Sequence, residues 1–397
     1  MNKLAIYGGT PVRSIMLQYG KQFIDERDIH LVVESLKSDY LTTGPMIKRF
    51  ECKLKEITEA KYVAAVSSCT TGLHIALLAT GIKPGDEVIT TPITFAASAN
   101  SILYCGAIPV FADINPDTML IDVDDVAKKI TPKTKAIIPV HYAGEVCDMD
   151  AFHELANEHR LAIIEDAAHA IGSKYKGRTV GSLSDMTAFS FHPVKTVTTA
   201  EGGAVATNSP ELYENIICLR SHGITRKREL MFDQTQGDWY YEQLVLGNNY
   251  RITDMQCALG IGQLEKLPMF QERRAMFVER YNEMLSKWGT VRILQSPEGS
   301  VATRHLYPIQ IVPGKLSVGR KEIYEALKAE GIGVNVHYIP VYWFPYYQQL
   351  GYKKGLCPTA EQVYENLITL PLYPMMTDKD FNDVITALEK VLTYYKK

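Results

Sequence analysis

The chain has 397 residues, 46% of them hydrophobic, enough for one large and one smaller domain, each with its own buried core. Lys plus Arg number 42 against 45 Asp plus Glu, a net charge of -3, so no basic excess points to nucleic acid or to an anionic membrane surface. No apolar run approaches the roughly 18 residues that span a bilayer.

The opening MNKLAIYGGTP lacks the apolar core of a signal peptide. Seven scattered cysteines without a CxxC pair fit reduced thiols in a cytoplasm better than a disulfide or zinc framework, so a cytoplasmic protein is expected. From about residue 60, short β-branched runs alternate with amphipathic segments: KYVAAVS, TGLHIALLATG, DEVITTP, FAASANSILYCG, IPVFADI, TKAIIPVHY, DAFHELANEHR and LAIIED. This pattern predicts βαβ units around a mostly parallel sheet covered by helices on both faces, an α/β fold. MTAFSF and EGGAVAT add two strands separated by the loop HPVKTVTTA. Beyond about residue 255 come longer helices, MQCALGIGQLEKL and QERRAMFVERYNEMLSKW, then a strand LYPIQIV and a helix RKEIYEALKAEG. A large α/β domain over 1–255 and a smaller α+β domain over 256–397 are therefore expected. Thr377 is placed to cap a terminal helix whose apolar positions Phe381, Val384, Ile385, Leu388, Val391 and Leu392 keep a helical period.

In open parallel sheets ligands collect beyond the carboxyl ends of the strands, so the residues just after each apolar run carry the search for chemistry. Ser68 to Gly72 opens a helix, where free N–H groups and hydroxyls serve either as an ordinary cap or as a phosphate cradle. Asp166 ends a run apolar enough to be buried; it either caps the next helix or pairs with a protonated ring nitrogen. Lys195, in the loop after TAFSF, is either a solvated loop lysine or a shielded amine able to form an imine with an aldehyde. Phe95, at another strand end, is either core or a plate for a planar ring. Together, a phosphate cradle, a buried carboxylate, an aromatic plate and a shielded lysine are the four groups that pyridoxal phosphate (PLP) requires. His169 and His192 lie near this place and serve either in proton transfer and orientation of cofactor oxygens or as structural residues. No HExxH or similar ligand spacing supports a metal site.

In order, SCTTGLHIAL, TTPITFAASAN, IIEDAAHAIGS, FSFHPVKTVTTAEGGAVAT and NNYRITDMQCALG resemble the DegT/DnrJ/EryC1/StrS family of sugar aminotransferases over nearly the whole chain. The resemblance implies the fold type I architecture of PLP enzymes, with the cofactor on Lys195, Asp166 against its ring nitrogen and Phe95 stacked on its ring. It places Cys69, Thr70 and Ser190 around the phosphate, with His169 beside the cofactor and Asn249 reaching in from the neighbouring subunit of a homodimer. LAIYGGTPVR, YLTTGP, VNVHYIPVYWFPYYQQLGY and TLPLYP are most similar to family members of pseudaminic acid biosynthesis. Those members take glutamate as donor and aminate a UDP-linked 4-keto-6-deoxy-N-acetylhexosamine, which implies substrate contacts at Tyr19, at Asp39, Tyr40, Leu41 and Thr42, and at Asn335, Val336, His337 and Tyr338. The stretch after the lysine, Thr196 to Thr199, departs from the family pattern. Three rivals differ in class or substrate: an aminotransferase for another nucleotide-linked keto sugar, a PLP-dependent sugar dehydratase, and a non-enzymatic regulator. Dehydratase relatives carry His at the lysine position, so Lys195 argues for transamination; a regulator would have no need of all the cofactor groups together.

Overall fold

The computed structural model describes residues 3–397. Its central sheet has seven strands: β1 (Tyr62–Val66), β2 (Glu87–Thr90), β3 (Ile108–Phe111), β4 (Thr134–Ile138), β5 (Ala162–Asp166), β6 (Met186–Ser190) and β7 (Gly203–Thr207). They lie in the order β1-β7-β6-β5-β4-β2-β3. Neighbours from β6 to β3 pair parallel, and β7 runs antiparallel to both β6 and β1. The mostly parallel sheet expected from the alternating pattern is thus present.

The strands read as continuous apolar runs because both faces are covered. Val63, Ala65, Ile137 and Ile163 enter one apolar cluster, while their immediate neighbours Ala64, Val66, Ile138 and Ile164 enter another on the opposite face. The period of two along a strand forces that division. Two helices precede the first strand, α1 (Glu26–Leu36) and α2 (Pro45–Thr58), ahead of the segments in which the sequence pattern was read. Asp25 caps α1 through a reciprocal capping box with Asp28, and Pro45 opens α2 where its missing N–H costs nothing.

The helix α3 (Cys69–Ala79) begins directly at the carboxyl end of β1. Ser68 caps it, its side chain accepting from the Thr71 N–H while the Thr71 hydroxyl oxygen accepts from the Ser68 N–H. Gly203 permits this placement, since a Cβ there would lie 2.5 Å from the Ser68 carbonyl carbon. Next, α4 (Ala97–Tyr104) comes after β2, and α5 (Asp254–Glu265) packs on α1 and α2.

A second, antiparallel sheet combines β8 (Val291–Ile293), β9 (Tyr307–Ile311) and β10 (Leu367–Leu370). Its cluster contains Phe277, Tyr281, Ile309, Leu327 and Ile368, and also Leu4 and Leu17 from the start of the chain. The terminal helix is capped by Thr377, and the six apolar positions expected on its inner face are buried. No helix among the described residues is long and apolar enough to cross a membrane.

Candidate active site

The parallel strands deliver their carboxyl ends to one edge of the sheet, and a cavity of about 650 Å³ opens there. Ser68, Cys69 and Thr70 reach it from the start of α3, Thr94 and Phe95 from the end of β2, Val140 from β4, Asp166 and His169 from β5, and Ser190, His192 and Lys195 from β6. The opposite wall comes from the second part of the chain, with His305 just before β9 and the loop Asn335 to Tyr338, while Tyr19 comes from the N-terminal segment.

Lys195 closes a tight turn whose N–H donates to the His192 carbonyl at 2.9 Å. Burial disfavours its ammonium and lowers its pKa to about 8, although the charges of Asp166 and Cys69 act in the opposite direction. About a tenth of this amine is therefore neutral and nucleophilic at pH 7, far more than for an ordinary lysine. Cys69, at the helix start, has its thiol pushed up by burial and by Asp166 and stays protonated.

Asp166 is buried and forms no ion pair among the described residues. One oxygen accepts from the Ser98 hydroxyl at 2.6 Å, which in turn lies 2.7 Å from the Thr94 hydroxyl, and the other accepts from the Ala168 N–H at 3.1 Å. It thus makes the local cap-like bond that the sequence allowed and still faces the cavity. Phe95 lines the cavity and is 64% exposed, with the Tyr338 ring 6.3 Å away and inclined at 62°, so its ring is not stacked on that neighbour.

The far wall is neutral. Burial, reinforced by the Lys195 charge, lowers the His337 pKa to about 3 and holds His169 and His305 well below the ordinary imidazole value. The Asn335 amide donates to His337 Nε2 at 3.3 Å, and His337 Nδ1–H donates to Thr369 Oγ1 at 2.9 Å. His169 Nδ1 accepts from the Ala143 N–H at 3.2 Å and its Nε2 lies 3.0 Å from the Tyr338 hydroxyl. Both ring nitrogens of His169 are therefore used within the chain, which leaves neither to orient a cofactor oxygen.

Fourteen of the residues singled out in the sequence line this one cavity: Tyr19, Ser68, Cys69, Thr70, Phe95, Asp166, His169, Ser190, His192, Lys195, Asn335, Val336, His337 and Tyr338. Asp39, Tyr40, Leu41 and Thr42 do not; they form an exposed stretch tied to the start of α5 through the Leu41 carbonyl, which accepts from the Asp254 N–H, and a bridge between Thr42 and Thr253. Asn249 also lies outside, bridged to Ser221. Sequence reasoning did not find Ser98, the donor to Asp166, or His305, whose Nδ1 is buried without a partner. Ser98 stands three residues after Phe95 in the first turn of α4, a spacing that aims both at the same strand end. Among the described residues, no group of three or more His, Cys, Asp or Glu is arranged to hold a metal ion.

The DegT/DnrJ/EryC1/StrS aminotransferase family model matches residues 22–389. The chain belongs to this family. It is 42% identical to the spore coat polysaccharide biosynthesis protein SpsC of Bacillus subtilis, over 96% of this chain and 98% of that one. It is 38% identical to the UDP-4-amino-4,6-dideoxy-N-acetyl-beta-L-altrosamine transaminase of Campylobacter jejuni, over 96% and 99%. A Streptococcus pneumoniae protein solved in its PLP form superposes with a TM-score of 0.89 at 33% identity, covering 96% of this chain and 99% of that one.

The residues present fit pyridoxal phosphate. The N–H groups of Cys69 and Thr70 open α3 with no partner inside the helix, and Thr70 and Ser190 both line the cavity, a donor set suited to a phosphate. Asp166, held by two neutral donors and no cation, suits a protonated ring nitrogen, and Lys195 suits the aldehyde.

Proposed function

We propose that this aminotransferase carries pyridoxal phosphate on Lys195 and moves the amino group of glutamate to C4 of a UDP-linked 4-keto-6-deoxy-N-acetylhexosamine, UDP-2-acetamido-2,6-dideoxy-β-L-arabino-hex-4-ulose, a step of pseudaminic acid biosynthesis. The observation that carries the reading is the meeting of Lys195, Asp166 and Phe95 with Tyr19 and the Asn335 to Tyr338 loop around one cavity. The 38% identity to the Campylobacter jejuni transaminase supports the sugar.

The cofactor supplies a ring that accepts electrons from the donor's α-carbon. The chain's own residues do the rest. Asp166 gives the ring nitrogen a buried anionic partner, and Ser98 and the Ala168 N–H keep that carboxylate aimed. With the cofactor and donor bound, Lys195 Nζ would be the group to take a proton from the donor's α-carbon and give it up again nearby, a role that its lowered pKa suits. Phe95, at the cavity lining, offers a plate for the ring plane. Tyr19 and Asn335 to His337 orient the sugar. Asn249 and the stretch Asp39 to Thr42 serve a second subunit of a homodimer, which accounts for their lying away from this chain's cavity.

The 42% identity to the Bacillus subtilis spore coat polysaccharide protein favours a second reading, amination of another nucleotide-linked keto sugar. An absorption titration separates the two. The visible band of the PLP-loaded protein should bleach with glutamate and return with the proposed UDP-linked sugar. Return with a different nucleotide-linked keto sugar establishes the second reading, and no response to glutamate removes both.

A further inference from the structure

The hydrogen bonds around His169 decide which way a proton runs at the cavity wall. A backbone N–H only donates, so the Ala143 N–H at 3.2 Å makes His169 Nδ1 the acceptor and leaves it bare. With the imidazole held neutral by burial and by the Lys195 charge, its single proton sits on Nε2, 3.0 Å from Tyr338 Oη. Nε2 donates and the phenol oxygen accepts; the tautomer is set by the network. The phenol's own proton then has no acceptor in the chain, and Tyr338 lines the cavity. His305, whose ring centre is 4.6 Å away, and Tyr142, at 6.4 Å, fix the imidazole from other sides. Burial and Asp166 keep the phenol protonated.

We propose that His169 is a positioning residue that turns Tyr338 into a fixed hydrogen-bond donor, and that the Tyr338 O–H meets the C4 carbonyl oxygen of the incoming keto sugar. The second clause rests on the function proposed above; the first stands on the chain alone. The arrangement polarises the carbonyl in the half-reaction that consumes the sugar; in the glutamate half-reaction the matching oxygen enters from water at C2 of the departing keto acid, after the α-carbon proton transfer that loss of the visible band reports, so that optical step does not depend on it.

Two measurements test it. Nitrogen-15 spectra of the full-length protein labelled at histidine should show, for the ring whose signals vanish in His169→Gln, a protonated Nε2 and a bare Nδ1. A proton on Nδ1, or on both nitrogens, overturns the arrangement. In rapid-mixing experiments on the PLP-loaded protein, Tyr338→Phe and His169→Leu should each slow the sugar half-reaction about 10- to 100-fold, the usual cost of losing such support, with the glutamate half-reaction far less affected. The double variant should be no slower than the worse single one. His169→Gln, whose carbonyl and amide can take over the acceptor and donor roles, should recover most of the loss. Equal slowing of both half-reactions, additive losses, or Leu serving as well as Gln overturns the proposal. A wild-type enzyme that reacts with glutamate but ignores the UDP-linked sugar overturns the substrate assignment alone, and the ring spectra still decide the His169–Tyr338 arrangement.

Discussion

Glu165 and Asp166 are consecutive buried carboxylates at the end of one strand, and their fates differ because a strand turns successive side chains to opposite faces. Glu165 points away from the cavity and its acceptor sites are filled: His141 Nε2–H donates at 2.6 Å, the Ser184 hydroxyl at 2.5 Å and the Thr187 hydroxyl at 2.8 Å. His141 is itself fixed by the Cys147 N–H donating to its Nδ1 at 3.2 Å. Asp166 points the other way, has only two neutral donors, and looks into the cavity that holds Lys195. The same chemical group is thus a strand fastener in one position and, under the proposed function, the electrostatic partner of the cofactor ring in the next. Exposure does not distinguish them, since both are buried; the completeness of the hydrogen-bond shell does.

The sharpest way to break the pair apart is Asp166→Asn, which keeps the shape and removes the charge. It should lower kcat/KM about 10²- to 10³-fold, the scale seen when a single preorganised electrostatic contact is lost, with little change in thermal stability. Glu165→Leu should do the reverse, leaving three buried donors without an acceptor at a cost of about 3 kcal/mol or more, read as a lower denaturant midpoint, while the folded fraction stays active. Acid should expose the same role. The hydrogen bonds and the His141 contact hold the Glu165 carboxyl below its ordinary 4.5 against the opposing effect of burial, so the folded state binds its proton less readily than the unfolded chain. Its stabilisation is complete above pH 4.5 and is lost as pH falls through the lower folded-state value. A Glu165→Gln variant should therefore show a weaker fall in stability between neutral pH and that range, measured by denaturant titration at several pH values.

The strand that carries both carboxylates was legible in the sequence, and so was the cluster at its end, because LAIIED and MTAFSF are too apolar to be anything but covered strands and their ends converge by topology alone. What the sequence hid depends on tertiary placement. Ser98 reads as an ordinary serine in FAASAN until the parallel pairing of β2 and β4, with β5 beyond, brings α4 beside Asp166. His305 precedes a strand of another sheet, and nothing local in RHLYPI announces that its ring will lie 4.6 Å from that of His169. The helices α1 and α2 begin at the Asp25 cap and at Pro45, local features that do not say what their apolar faces cover; that is decided only where α5 packs on both.

Ser98→Ala probes how far the aim of Asp166, separate from its charge, matters. The substitution leaves the carboxylate with the Ala168 N–H alone and should reduce kcat about tenfold, the lower end of what losing a supporting hydrogen bond costs, with no change in the cofactor the protein retains. A loss as large as that of Asp166→Asn would mean that orientation, not charge, carries the contribution of Asp166.

The smallest expected effect concerns Lys195 and reads the two carboxylates through their distance from its amine. Asp166 is among the groups that act on Lys195 and favours its charged form, whereas Glu165, on the other face of the strand, is not. With a pKa of about 8, the neutral amine rises about fivefold from pH 7 to pH 8 and then levels off, so the rate at which the cofactor-free protein takes up pyridoxal phosphate should track that curve. A lysine with its ordinary value would instead keep rising about tenfold per pH unit to beyond about pH 9. Removing the Asp166 charge takes away a group that stabilises the ammonium, so the Asp166→Asn curve should level off at lower pH. In Glu165→Gln the midpoint should stay where it is. A midpoint that moves equally in both variants would show that the face of the strand does not isolate the two carboxylates, and that the back of the sheet reaches the cavity electrostatically after all.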